Sequence, residues 1–251
     1  MPTPFSHLAV AQRLLDDQAL PQACRGLLRA ELGAFLLGSI AADARVGAGM
    51  PREHTHFYAY AQQMTENPWR AMLRLNPELW QPRTPAHWAF MMGYVAHLAM
   101  DETWSREMVA PHFVQREWGS QGLRFLMLHI ILIVMDERDL SLLQPWQADA
   151  LHSAQPDQWV AFITDVDLRA WQGLIYQQLM PGGVSETLTI FGARARKSPT
   201  ELRTILDSDS EMQTNLWDNI PRSTLAQVEA QMYTYICESV VEYWSRSVLG
   251  A

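Results

Sequence analysis

The sequence has few cysteines, little positive charge and no long apolar run. Among its 251 residues the cysteines are Cys24 and Cys237, which are far apart and form no C-x-x-C pair, so neither a disulfide scaffold nor a thiolate zinc site is indicated. Lys197 is the only lysine and the net charge is -8, which opposes binding to nucleic-acid backbones. No apolar stretch of membrane-spanning length and no secretory signal is found. We therefore expect a cytoplasmic protein that binds no nucleic acid.

Signals for β-sheet are scarce as well. Alternating apolar and polar residues and Asn-Gly or Asp-Gly hairpins are hardly found, whereas helical spacing of apolar residues dominates. The sequence predicts an all-α protein, a helical bundle in which residues 1–251 form a single domain. The predicted helices run near residues 5–17, 22–45, 54–66, 84–109, 120–137, 156–179, 184–195, 199–207 and 222–248.

Familiar nucleophile and nucleotide motifs are missing, including G-x-S-x-G, the P-loop, G-x-G-x-x-G and H-E-x-x-H. The segment from Trp88 to Trp104 is apolar nearly all round and should cross the centre of the molecule. His97 and Asp101 lie four residues apart on it, so both side chains can reach one ion. An isolated pair of this kind is more often a helix-stabilising ion pair, but burial favours a metal, whose charge offsets the desolvation of the carboxylate.

Four other segments carry candidate ligands. His129 and Asp136 are separated by about 10 Å along a second apolar helix, a spacing suited to flanking a two-metal centre. Taken alone, His129 is more often a core histidine and Asp136 a helix-end acid. Asp43 ends the small, apolar segment 34–43, and His56 follows near a predicted helix start. His7 is a lone histidine, for which a surface or capping role is the simpler interpretation.

Histidine and aspartate therefore concentrate in separate helical segments, as a metal site in a helix bundle requires. Nitrogen and oxygen ligands without cysteine suit zinc, manganese or iron, and ionised carboxylates favour a catalytic site over a structural one. Hydrolysis is the leading interpretation. The alternatives are a di-iron or di-manganese redox enzyme, which the missing repeat of Glu-x-x-His opposes, and a non-catalytic binding protein stabilised by metal.

Residues 3–9, 35–43, 55–57 and 93–101 resemble the bacterial zinc-dependent phospholipase C family, in its shorter intracellular branch. The resemblance spans about residues 3–195. It implies an all-helical bundle with a metal cluster in a cleft between central helices. It also implies a hydrolase that cleaves a phosphodiester or phospholipid-like substrate with a metal-activated water.

The resemblance also implies roles for individual residues. The first metal site would consist of Asp43, His56, His97 and Asp101, with Asp43 as a bridging ligand or catalytic base. His7 would be a neighbouring ligand.

The second half of the implied site departs from the family pattern. His129 matches the later histidine ligand, but Ile133 stands where the family has an acid, and Asp136 is the candidate replacement. We expect two Zn²⁺ ions, with Mn²⁺ or Fe²⁺ as alternatives. Arg52 and Arg106 are candidate contacts for the phosphate of a small-molecule or lipid-like substrate.

Overall fold

The computed structural model describes residues 1–59 and 64–249 of the chain. The α-helices are α1 (Pro4–Asp16), α2 (Gln22–Ala30), α3 (Leu32–Ala41), α4 (Arg45–Ala48), α5 (Arg52–His56), α6 (Pro68–Leu75), α7 (Pro85–Thr103), α8 (Gln121–Leu142), α9 (Pro145–Ser153), α10 (Asp165–Leu179), α11 (Thr187–Ala195), α12 (Pro199–Leu206), α13 (Asp209–Met212) and α14 (Arg222–Leu249). Short 3₁₀ and π-helical segments cover Ala42–Ala44, Pro77–Trp80, Trp104–Gln115 and Gln213–Trp217. The described ranges contain no strand, which confirms the all-α prediction. None of these helices is long and apolar enough to cross a membrane.

Several predicted boundaries were wrong. The helix predicted over 22–45 is broken at Glu31, where the backbone leaves the helical conformation between α2 and α3. The one predicted over 54–66 is limited to α5, because Phe57 has a positive φ of 60°; residues 60–63 lie outside the described ranges. Helices α6 and α9 were not predicted. Each begins with a proline, whose missing N–H is harmless in a first turn.

Helix α7 passes through the centre of the bundle, as the sequence predicts. Its start is fixed by Thr84, whose hydroxyl accepts a hydrogen bond from the backbone N–H of His87, and by Pro85 in the first turn. Every residue from 89 to 104 is buried. Any polar side chain in this stretch must therefore find a partner inside the protein.

Helix α3 packs directly against α7 because glycines face each other's backbone. A methyl group on Gly38 would overlap the carbonyl group of Phe90, and one on Gly93 would overlap the carbonyl oxygen of Phe35. Only glycine permits this approach. As a result the carbonyl oxygen of Ser39 on α3 lies 2.9 Å from Nδ1 of His97 on α7. Packing of the two helices thus orients the histidine expected to bind metal.

Candidate metal centre

Five of the residues predicted from the sequence come together at the C-terminal half of α7. They arrive from four places in the chain: His7 from α1, Asp43 from the turn after α3, His56 from the end of α5, and His97 and Asp101 from α7. All are buried except Asp43, whose side chain is 18% exposed. Asp43 is therefore the side of the cluster that solvent reaches.

Nε2 of His56 lies close to three other members of the cluster. Nε2 of His56 lies 3.4 Å from Oδ1 of Asp43, from Oδ2 of Asp101 and from Nε2 of His97. Nε2 of His97 lies 3.8 Å from Oδ2 of Asp101. Zinc holds nitrogen and oxygen ligands at about 2.0–2.2 Å in tetrahedral geometry, so neighbouring ligand atoms lie about 3.3–3.5 Å apart. The observed spacing fits a metal ion better than a set of direct hydrogen bonds.

A second group of possible ligand atoms consists of His7, His97 and Asp101. The rings of His7 and His97 stack, with centroids 3.8 Å apart. Nε2 of His7 and Oδ1 of Asp101 are 3.6 Å apart, and both atoms are buried without a hydrogen bond. Nδ1 of His97 faces the Ser39 carbonyl, so its Nε2 can serve only one ion. The two groups therefore compete for His97 and share the carboxylate of Asp101.

The charge states of the cluster suit a cation. Burial, reinforced by His7, lowers the pKa of His97 to about 3. Burial, together with Arg52, also lowers the pKa of His56. Metal ligands must be deprotonated, and these imidazoles are neutral at pH 7.

Asp43 and Asp101 both remain ionised, although burial favours the neutral form of each carboxyl group. Burial alone would raise the pKa of Asp43, but the adjacent side chains of His56 and His97 hold it below its usual range. Burial likewise opposes ionisation of Asp101, whose pKa is held well below normal chiefly by Arg52. An ionised carboxylate as deeply buried as that of Asp101 needs a compensating positive charge nearby.

Arg52 supplies part of that positive charge. Its Nη2 donates to Oδ2 of Asp101 at 2.5 Å and to the hydroxyl of Tyr58 at 2.7 Å. The guanidinium also lies 4.8 Å from the centre of the Tyr58 ring. Arg52 was predicted from the sequence as a phosphate contact, whereas Tyr58 was not predicted. The sequence gives no signal for it beyond its position two residues after His56.

His129 and Asp136 do not join either group of ligand atoms found among the described residues. Nδ1 of His129 is 2.8 Å from the carbonyl oxygen of Phe125 on the same helix, and its ring contacts Phe125 and Phe191. Oδ2 of Asp136 accepts a hydrogen bond from Ser185. Burial raises the pKa of Asp136 to about 6, although hydroxyl groups partly oppose the rise. Neither residue is brought to the cluster.

Arg106 is also directed elsewhere. It pairs with Glu102 at 3.1 Å, and that carboxylate also accepts hydrogen bonds from Asn67 and Tyr235.

A surface cleft of about 610 Å³ opens around His87, ten residues before His97 and hence about 15 Å away along α7. This cleft therefore does not belong to the cluster.

The donor set and its unpaired atoms therefore fit a divalent metal ion. The zinc-dependent phospholipase C family matches residues 6–174, roughly two thirds of the chain. Searches of curated proteins and of solved structures found no match. The matched segment includes all five residues of the cluster and also His129 and Asp136.

Proposed function

Because the chain belongs to the zinc-dependent phospholipase C family, we propose that it is a metal-dependent phosphoesterase. The substrate would be a phospholipid or a similar small phosphodiester. The family is one of hydrolases, and the substrate within that class is our inference.

The spacing of ligand atoms carries the proposal. Nε2 of His56 lies 3.4 Å from ligand atoms of Asp43, His97 and Asp101, and Nε2 of His97 lies 3.8 Å from Oδ2 of Asp101. An ion-paired network without metal would draw its donors and acceptors to about 2.7–3.2 Å. Buried groups kept slightly farther apart are typical of ligands around a cation.

We propose that the cluster holds two zinc ions. The first would be held by Asp43, His56, His97 and Oδ2 of Asp101. The second would be held by Oδ1 of Asp101 and Nε2 of His7, two buried atoms that make no hydrogen bond with any described residue. Asp101 would then be the residue that helps to hold both ions.

The chain's own residues would divide the work of hydrolysis. When bound, the metal lowers the pKa of a coordinated water and neutralises charge on the phosphate. Asp43 is ionised and is the cluster member most open to solvent, so its carboxylate would orient the attacking water and accept a proton. Arg52 would keep Asp101 in place and is the nearest guanidinium for a phosphate oxygen.

The test combines metal content with turnover. We expect protein purified without added metal to carry about two zinc ions by mass spectrometry, and the zinc-loaded protein to hydrolyse phosphatidylcholine in mixed micelles or bis(p-nitrophenyl) phosphate. Asp43→Asn should lower kcat by about 100-fold or more, since a general base contributes about 10²–10⁴-fold. Asp16→Asn is the matched control, because Asp16 is a surface acid paired only with Arg29 among the described residues.

Other outcomes would redirect the proposal. Bound iron would favour redox chemistry. Zinc binding without turnover of either substrate would favour a metal-stabilised binding protein. Equal activity in Asp43→Asn and wild type would contradict the role given to Asp43.

A further inference from the structure

The hydroxyl of Thr55 lies beside the one cluster histidine that comes from a short helix. Its Oγ1 is 2.9 Å from Nδ1 of His56, and Thr55 is fully buried. We propose that Thr55 is a positioning residue that fixes the tautomer of His56 and so turns the lone pair of Nε2 towards the metal. This inference rests on the proposed metal site.

The hydrogen-bond roles follow from the surroundings of the hydroxyl. The carbonyl oxygen of Arg52 is 3.5 Å from Oγ1 and gives the hydroxyl hydrogen an acceptor. The oxygen of the hydroxyl can then accept a hydrogen bond from the N–H at Nδ1 of His56. A histidine that carries its proton on Nδ1 has an unprotonated Nε2. On the far side of the ring, Nε2 faces Asp43, His97 and Asp101 at the centre of the cluster.

The backbone of Thr55 is held in place from α7. Its carbonyl oxygen accepts a 2.8 Å hydrogen bond from the hydroxyl of Tyr94, one turn before His97. Immediately after His56 the chain reverses at Phe57, which adopts a left-handed conformation and packs edge-on against Phe162. A left-handed backbone is strained for a residue with a side chain and persists only where packing enforces it. The hydroxyl therefore has little freedom to move away from His56.

The corresponding partner of His97 is a backbone carbonyl, that of Ser39, which no side-chain substitution removes. The partner of Nδ1 of His56 is instead a side chain, that of Thr55, so a substitution of Thr55 can test its contribution. Outer partners of metal-binding histidines set ring orientation, and their loss lowers metal affinity by about 10- to 100-fold.

The experiment compares Thr55→Val, Thr55→Ser and the matched control Thr103→Val. Thr103 is also buried, but its hydroxyl donates to the carbonyl oxygen of Ala99 on its own helix, at 3.0 Å. Zinc affinity is measured by competition with a chelator. Imidazole NMR of the zinc-loaded protein reports whether the Nδ1 proton of His56 is protected from exchange with water.

We expect Thr55→Val to bind zinc about 10- to 100-fold more weakly and to lose the protected Nδ1 proton. Thr55→Ser keeps the hydroxyl and should retain both properties, as should Thr103→Val. Unchanged affinity in Thr55→Val, weakened affinity in Thr55→Ser, or an equal loss in Thr103→Val would overturn the inference. If the wild type itself binds no zinc, the proposed function fails as well. If the wild type binds zinc as expected, failure of the Thr55 result concerns Thr55 alone.

Discussion

Two regions of this protein bury histidine and aspartate, and they use them differently. In the region formed by α1, α3, α5 and α7, side chains from separate elements point at one another, and Nε2 of His7 and Oδ1 of Asp101 make no hydrogen bond within the described ranges. In the region formed by α8 and α11, His129 is bonded within its own helix and Asp136 lies among hydroxyl groups. Convergence across elements, rather than burial alone, distinguishes the candidate metal centre.

The electrostatics of the two regions differ in the same way. In the first region positive charge from Arg52 keeps the pKa of Asp101 well below normal in spite of burial. In the second region burial outweighs the surrounding hydroxyls and raises the pKa of Asp136 to about 6. Asp101 is therefore the stronger candidate ligand, because metal ligands must be deprotonated and its surroundings favour the ionised form.

The largest expected difference is in zinc binding. His97→Ala removes a nitrogen at the centre of both ligand groups, so the loss of affinity should exceed the 10- to 100-fold that loss of an outer partner costs. His129→Ala should keep its zinc, because the His129 side chain lies outside both groups. Mass spectrometry of the two purified variants checks this. Zinc loss in His129→Ala equal to that in His97→Ala would show that the α8 region also binds the metal.

The next largest difference is in stability without metal. Arg52→Gln leaves Asp101 buried without its guanidinium partner, which costs about 3–5 kcal/mol when a buried pair is broken. Arg106→Gln removes a side chain that is 42% exposed, and an exposed partner of this kind contributes at most about 1 kcal/mol. Urea unfolding of the metal-free variants measures both values. Zinc should restore part of the stability lost in Arg52→Gln, and equal losses in both variants would contradict the distinction.

The all-α fold and part of the candidate metal centre could be predicted from features of individual residues. His97 and Asp101 stand out because α7 is otherwise apolar, and Gly38 and Gly93 stand out as small residues in buried helices that pack closely. The positions of His129 and the other α8 candidate could not be predicted, because helical spacing shows which face a residue occupies but not what lies opposite.

Short elements were the other failure of sequence reasoning. Helices α6 and α9 each have fewer than ten residues, too few for a periodic pattern to be distinguished from a loop. The end of α5 depends on the left-handed backbone of Phe57, a residue type that rarely adopts this conformation. Thr55 escaped notice for a related reason, since a threonine beside a histidine carries no signal until the two side chains are seen in contact.

The smallest expected effect tests two interpretations of Asp136, either as a ligand of a second zinc ion or as a buried acid that binds no metal. The Ser185 hydroxyl donates a hydrogen bond to Asp136, the hydroxyls of Thr3 and Thr187 also lower its pKa, and the charge of Asp139 adds to the effect of burial. Its pKa rises from 3.8 to about 6 on folding, so the folded state holds the proton more tightly. Stability from this group is complete below pH 3.8 and is lost as the pH rises through about 6.

Asp136→Asn removes this titration and keeps groups that can bond the hydroxyls. The variant should therefore be more stable than wild type at pH 8, by at most about 3 kcal/mol, and the advantage should shrink towards pH 4. Urea unfolding of metal-free protein across this pH range measures the difference. If Asp136 instead replaces the missing acid of a second zinc site, Asp136→Asn would lose zinc, and zinc would stabilise it less than wild type at pH 8. The zinc content of Asp136→Asn, and how far zinc stabilises it, therefore decide whether α8 contributes a ligand or only a buried acid.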